Sequence, residues 1–177
     1  KFLQTLKNVR KRLSMTVFGL NFKNGKTMKK GEMLSAAIVL ATNAHAGQFD
    51  KGGVPYVLHP LRVLSFLKEN DEELQCMCIL HDVVEDTKTS WKDLYDIGMT
   101  SRVIQALILL TKVPGQTYEE YVVGLKTSRD AMKVKLCDLR HNSDLRRLKG
   151  VSEKDIARMT KYQILYFELK TCLENEL

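Results

Sequence analysis

The stretch that most restricts how this chain can fold is DEELQCMCILHDVVEDT, residues 71–87, in which an apolar run passes directly into His81, Asp82, Glu85 and Asp86. Leu74, Met77, Cys78 and Val84 give the segment broad apolar coverage at helical spacing, and Asp71 is placed to cap its start. The spacing therefore predicts a helix buried over much of its circumference before its charged end appears. Polar groups behind such a run need hydrogen bonds, ion partners or a bound ligand. Other parts of the chain must supply them.

The remaining sequence reads mainly as helix. In GEMLSAAIVLATNAHAG the positions Met33, Ala37, Leu40, Ala41 and Ala44 recur at helical spacing among good helix formers. FDKGGVPY follows as an ordered loop, and Pro60 suits the first turn of a helix through LRVLSFLKEN. Thr89 or Ser90 begins SWKDLYDIG, SRVIQALILLT forms another helix, and Thr117 caps YEEYVVGLK. In SRDAMKVKLCDLRHN, Ala131, Val134, Leu136 and Leu139 can line one face. Ser152 and Asp155 stand in capping-box register for a last helix, whose stripe of Ile156, Met159, Gln163, Ile164 and Phe167 is expected to close the bundle. There is no βαβ pattern and no glycine-rich phosphate loop. The fold class expected is all-α, a compact multi-helix bundle spanning 32–173, preceded by a basic arm or helical extension over 1–31.

Charge is unevenly spread along the 177 residues. Residues 1–31 hold nine lysines and arginines and no acid, whereas the rest hold 19 basic and 21 acidic side chains. The formal charge of +7 thus belongs to the arm. Such an arm could meet nucleic acid, but no aromatic residues alternate with the basic ones in KNVRKR, so a solvated arm is the preferred reading. No run is long enough to cross a membrane. Cys76, Cys78, Cys137 and Cys172 lack the spacing of a structural zinc site and read as free thiols in a reducing, cytoplasmic setting.

Adjacent helical residues project about 100° apart, so His81 and Asp82 can share an ion only if it nests beside them and other elements complete its shell. His45, at the end of an apolar helix, and Asp138, beside the apolar Leu136 and Cys137, are available. Two imidazoles and two carboxylates suit a divalent ion such as Mn²⁺, Fe²⁺ or Zn²⁺. Each residue also has an ordinary structural reading. His45 can be packed, Glu85 and Asp86 can form a solvated helix end, and Asp138 can pair with Lys135, Arg140 or Arg146.

Three blocks, HAGQFDKGGVPYVLHP at 45–60, ILHDVVEDT at 79–87 and VKLCDLRHN at 134–142, resemble the HD metallohydrolase superfamily. The similarity is to the hydrolase domain of RelA/SpoT-type enzymes that degrade guanosine tetraphosphate and pentaphosphate. It implies a helical HD-domain fold. It further implies that His45, His81, Asp82 and Asp138 hold one metal, usually manganese, and that Glu85 and Asp86 activate water. The reaction implied is hydrolysis of the 3′-diphosphate of ppGpp or pppGpp, releasing pyrophosphate and GDP or GTP. Lys51, Tyr56 and Asn142 are the implied contacts to the anionic nucleotide, with His59 and His141 as supporting or packing histidines.

Departures from the family pattern bear on the substrate. Where relatives often read Q-[YF]-R-K-S-G-E-P-Y, this chain has QFDKGGVPY, placing Asp50 at the position of a guanine-stacking arginine. Asp144 and Leu145 replace a basic residue and a threonine, and Arg140, Arg146 or Arg147 are candidates to restore the charge. The alternative is therefore an HD phosphohydrolase acting on another nucleotide or phosphorylated metabolite, with a noncatalytic nucleic-acid-binding protein as the reading from a different class. No segment after the core is long enough for a synthetase domain, so a small hydrolase-only protein is expected.

Overall fold

A computed structural model describes Lys7, Lys11 and residues 28–175. The expected basic arm lies, apart from its last few residues and those two exposed lysines, outside the described residues. From residue 28 onward the helical expectation holds: α1 (Glu32–Ala44), α2 (Leu58–Phe66), α3 (Glu72–Leu80), α4 (Val83–Asp86), α5 (Trp91–Asp96), α6 (Ser101–Leu110), α7 (Tyr118–Leu125), α8 (Arg129–Asn142) and α9 (Glu153–Asn175). A 3₁₀ turn at Leu145–Arg147 links the last two. Among the described residues β-pairing is confined to a single bridge between Phe49 and Pro55.

Helix α3 runs through the middle of the molecule, packed by α1, α2, α6 and α8. Its residues explain that position. Leu74 and Cys76 through Leu80 are all buried, so the helix is apolar on every side rather than along one stripe. Asp71 caps it, its carboxylate accepting from the backbone N–H groups of Glu73 and Leu74 at 2.9 and 3.1 Å. Arg102 of α6 reaches the same carboxylate at 2.9 Å and also pairs with Glu73 and Asp130. Capping boxes start α5 at Ser90 and α7 at Thr117, each satisfying N–H groups that the helix cannot satisfy itself.

Two expectations are corrected. The segment after Asp71 is not one helix to Asp86: it ends at Leu80, turns through His81 and Asp82, and resumes as the short α4. In that turn His81 Nε2 and Asp82 Oδ2 come within 2.9 Å of each other. The second correction concerns α9. Ile156, Ile164 and Phe167 of the expected stripe are 49%, 61% and 60% exposed, whereas Leu165 and Leu169 are buried and Tyr162, Tyr166 and Cys172 pack beside them. Both faces of α9 carry apolar side chains, and α8, against which it packs, selects the other one. Helix α8 turns inward as expected, with Ala131, Met132, Val134, Asp138 and Leu139 buried.

Candidate metal centre

Three elements bring ionisable side chains to one point inside the bundle. His59 comes from the first turn of α2, His81 and Asp82 from the turn after α3, and Asp138 from the middle of α8. His59, His81 and Asp138 each offer a ligand atom, and these atoms lie within 4.8 Å of one another. His81 Nε2 is 3.1 Å from His59 Nε2, 2.9 Å from Asp82 Oδ2 and 3.6 Å from Asp138 Oδ1. His59 Nε2 is 3.3 Å from Asp82 Oδ2 and 3.2 Å from Asp138 Oδ1. All but Asp82 are almost wholly buried.

The orientation of each group is set by a further bond. The Cys78 carbonyl lies 2.8 Å from His81 Nδ1, which leaves Nε2 for the centre. His141 Nδ1 meets His59 Nδ1 at 2.7 Å, and the two rings stack. Asp138 accepts from Lys135 Nζ at 2.8 Å on one oxygen and from Asn142 Nδ2 at 2.5 Å on the other. Of the three cations considered for Asp138 from the sequence, Lys135 is the partner. Tyr56 donates to Asp82 Oδ2 at 2.6 Å and approaches Asp86 Oδ2 at 3.3 Å.

His45 stands beside this cluster. It is buried, its ring lies 4.8 Å from that of Tyr56, and its Nδ1 is bonded to Gln48 Oε1 at 2.7 Å. Its Nε2 is buried without any hydrogen-bond partner. An unpaired buried imidazole nitrogen is costly, and a cation is the kind of partner that would remove the cost. Mixed imidazole and carboxylate donors suit a borderline or hard divalent ion. The chain's residues therefore fit a divalent metal. The structure places His59, read from sequence as a supporting or packing residue, among the candidate donors; the signal available was a histidine fixed by Pro60 at the start of a buried helix.

Burial disfavours a charged His81, but Asp82 and Asp138 outweigh it and hold the imidazole well above the ordinary histidine range. Burial likewise works against Asp138, yet Lys135 and the two histidines keep its carboxyl well below its usual value. Burial pushes Glu85 and Asp86 upward, with the Asp82 charge adding to the effect on both. Glu85 Oε2 accepts from the Lys112 backbone N–H at 2.7 Å, which holds it at the start of the 112–117 loop. A carboxylate raised in this way is a better proton acceptor near neutral pH. Burial also lowers His141, with Arg147 and His59 contributing, to about 4.

A cavity of about 250 Å³ adjoins the cluster, with Tyr56 and Asn142 in its wall together with Lys51 and Arg147. The three sequence-derived contact residues thus share one cavity. Asp50 does not stand there as a free acid, since Arg147 Nη2 lies 3.1 Å from its Oδ2. Asp144 is similarly paired with Arg146 at 2.8 Å.

No protein-family model matches the chain. A GTP pyrophosphokinase of Streptomyces coelicolor is 32% identical over 138 residues, covering 72% of this chain and 16% of that protein. The bifunctional (p)ppGpp synthase/hydrolase SpoT of Escherichia coli is 27% identical over 140 residues, covering 72% of this chain and 20% of its own length. The chain thus spans about a fifth of the curated relatives it matches. Among solved structures, a metazoan ortholog of SpoT described as hydrolysing ppGpp superposes with a TM-score of 0.67 at 22% identity, over 85% of this chain and 96% of that one. That likeness establishes that the two chains share one all-α fold.

Proposed function

We infer that this chain, an HD-type domain related to the RelA/SpoT hydrolases, cleaves the 3′-diphosphate of guanosine tetraphosphate and pentaphosphate, releasing pyrophosphate and GDP or GTP. The observation that carries the reading is the convergence of His59, His81, Asp82 and Asp138 near the unpartnered His45 Nε2, behind Tyr56 and Asn142, which line a cavity and bond to Asp82 and Asp138. Relatives in Escherichia coli O157:H7 and Haemophilus influenzae that carry the name guanosine-3′,5′-bis(diphosphate) 3′-pyrophosphohydrolase support the choice of substrate. We assign His45, His81, Asp82 and Asp138 as ligands of one Mn²⁺, with His59 as a further donor to it. Fe²⁺ and Zn²⁺ suit the same donor set. The setting proposed is cytoplasmic; among the described residues no helix is long and apolar enough to cross a membrane.

When bound, the cation supplies Lewis acidity to the phosphoryl group and to water. The chain's own groups do the rest. Glu85 takes the proton from the attacking water, its burial making it basic enough to do so. Asp86 relays or holds a proton through Tyr56, whose hydroxyl touches both Asp82 and Asp86. Lys51 and Asn142 bind the nucleotide from the cavity wall, Lys51 as a point charge for phosphate.

Leu145, without the hydroxyl of the matched threonine, favours a second reading in which another phosphorylated nucleotide is the substrate. Hydrolysis of ppGpp, pppGpp, 5′-nucleotides and other 3′-phosphorylated nucleotides, with products resolved across added divalent ions, separates the two. Release of pyrophosphate from the 3′ position supports the first; exclusive 5′-dephosphorylation rejects it.

A further inference from the structure

Arg147 sits in the cavity wall with both terminal nitrogens already engaged. Nη2 meets Asp50 Oδ2 at 3.1 Å, and Nη1 donates to Asn142 Oδ1 at 3.0 Å and to the His141 carbonyl at 3.3 Å. The carboxylate that receives it is itself fixed, accepting from the backbone N–H groups of Gly52 and Val54 at 2.9 Å each. Gly52 permits the close approach of the loop, because a Cβ there would lie 2.3 Å from the Arg147 carbonyl oxygen. The guanidinium is therefore pinned from two sides, by the 48–56 loop and by the end of α8.

An arginine recognises phosphate best through a free fork of two N–H groups. Here three of its five N–H groups are turned to protein acceptors, which fixes the plane of the guanidinium. A guanidinium plane fixed in this way is a stacking surface for a nucleobase. The cavity around it is aromatic as well, lined by Phe49, Tyr56 and Tyr162. Lys51 in the same wall is left as the positive group for phosphate, since Arg158 is paired with Asp155 at 2.7 Å. The pairing also explains how an acid can stand in a site for an anionic ligand, since the Asp50 charge is matched at close range.

We propose that Arg147 is the base-stacking residue of the cavity and that Asp50 is the positioning residue that holds its guanidinium there. The assignment rests on the reading of the cavity as a nucleotide site and names the part of the nucleotide it takes, a purine ring. It does not depend on which phosphate is cleaved.

The test is equilibrium binding of GDP to the Mn²⁺-supplemented protein, with helical circular dichroism and thermal midpoint recorded for every variant. R147A weakens GDP binding about tenfold, the scale expected for loss of one stacked base. R147K, which keeps the charge and loses the plane, weakens it equally. D50N weakens it by a smaller factor, and D50N/R147A binds no worse than R147A alone, because Asp50 acts only through Arg147. Wild-type affinity in R147K would make Arg147 a simple charge and overturn the proposal, as would additive losses in the double variant. So would failure of the natively folded wild type to bind GDP. Should R147A not fold, R147K and D50N decide the matter. Failure of the proposed reaction would appear separately, as absence of released pyrophosphate from a protein that still binds GDP in this pattern.

Discussion

At the scale of single residues, His59 is where structure adds most to the site. Its Nε2 lies as close to Asp82 and Asp138 as the pairs within a ligand shell require, while His141 fixes its other nitrogen. An imidazole oriented in this way is placed as a metal ligand would be, which is the role proposed for it. His59→Ala is expected to weaken Mn²⁺ binding at least tenfold, measured by calorimetry; unchanged affinity would place His59 outside the ligand shell. Glu85 makes the opposite prediction. Its partner in the fold is the Lys112 N–H rather than any member of the cluster, so Glu85→Gln is expected to cut turnover about a hundredfold with metal occupancy unaltered. Both quantities come from one preparation assayed for pyrophosphate release and for bound metal. His45, His81, Asp82 and Asp138 were legible as candidates because ionisable residues next to apolar ones need partners. Arg147 was one of three arginines among which sequence could not choose, since only the folded loop brings residue 50 to it.

At the scale of elements, the caps were readable and the faces less so. Asp71, Ser90, Thr117 and Ser152 all begin helices where their short oxygen-bearing side chains predict. Asp71 does more than cap. Burial works against its charge, but the Leu74 N–H and Arg102 outweigh that and lower its pKa from the ordinary 3.8. Its stabilising contribution is therefore complete above the unfolded value and disappears as pH falls through the folded one. Asp71→Asn should cost about 1 kcal/mol at neutral pH by urea unfolding, on the scale of caps and ion pairs at partly exposed sites, and the difference should close in acid. A constant difference from pH 7 to pH 2 would show that the charge contributes nothing. The break after Leu80 and the reversed face of α9 were not readable, for one reason. Helical spacing is satisfied by more than one arrangement when apolar residues surround the axis, and the neighbouring helices make the choice.

At the scale of the whole molecule, the loop over 48–56 and the turn at Leu145–Arg147 close on each other over the cavity, far apart in sequence and tied by Asp50 and Arg147. Gly52→Ala tests that closure: with a Cβ driven against the Arg147 carbonyl oxygen, the strain should cost roughly 1–3 kcal/mol or part the two segments. A thermal midpoint and GDP affinity both equal to wild type would show that the contact is dispensable.

Sequence by itself determined that the chain is helical, that residues 71–87 lie inward, and which ionisable residues seek partners there, because periodicity, capping chemistry and the cost of buried charge act over a few residues at a time. Tertiary structure alone decided that His59 joins the cluster and that Asp50 is matched by Arg147. Those are distances between groups on different elements, and they exist only once α2, α3 and α8 have packed around a common core.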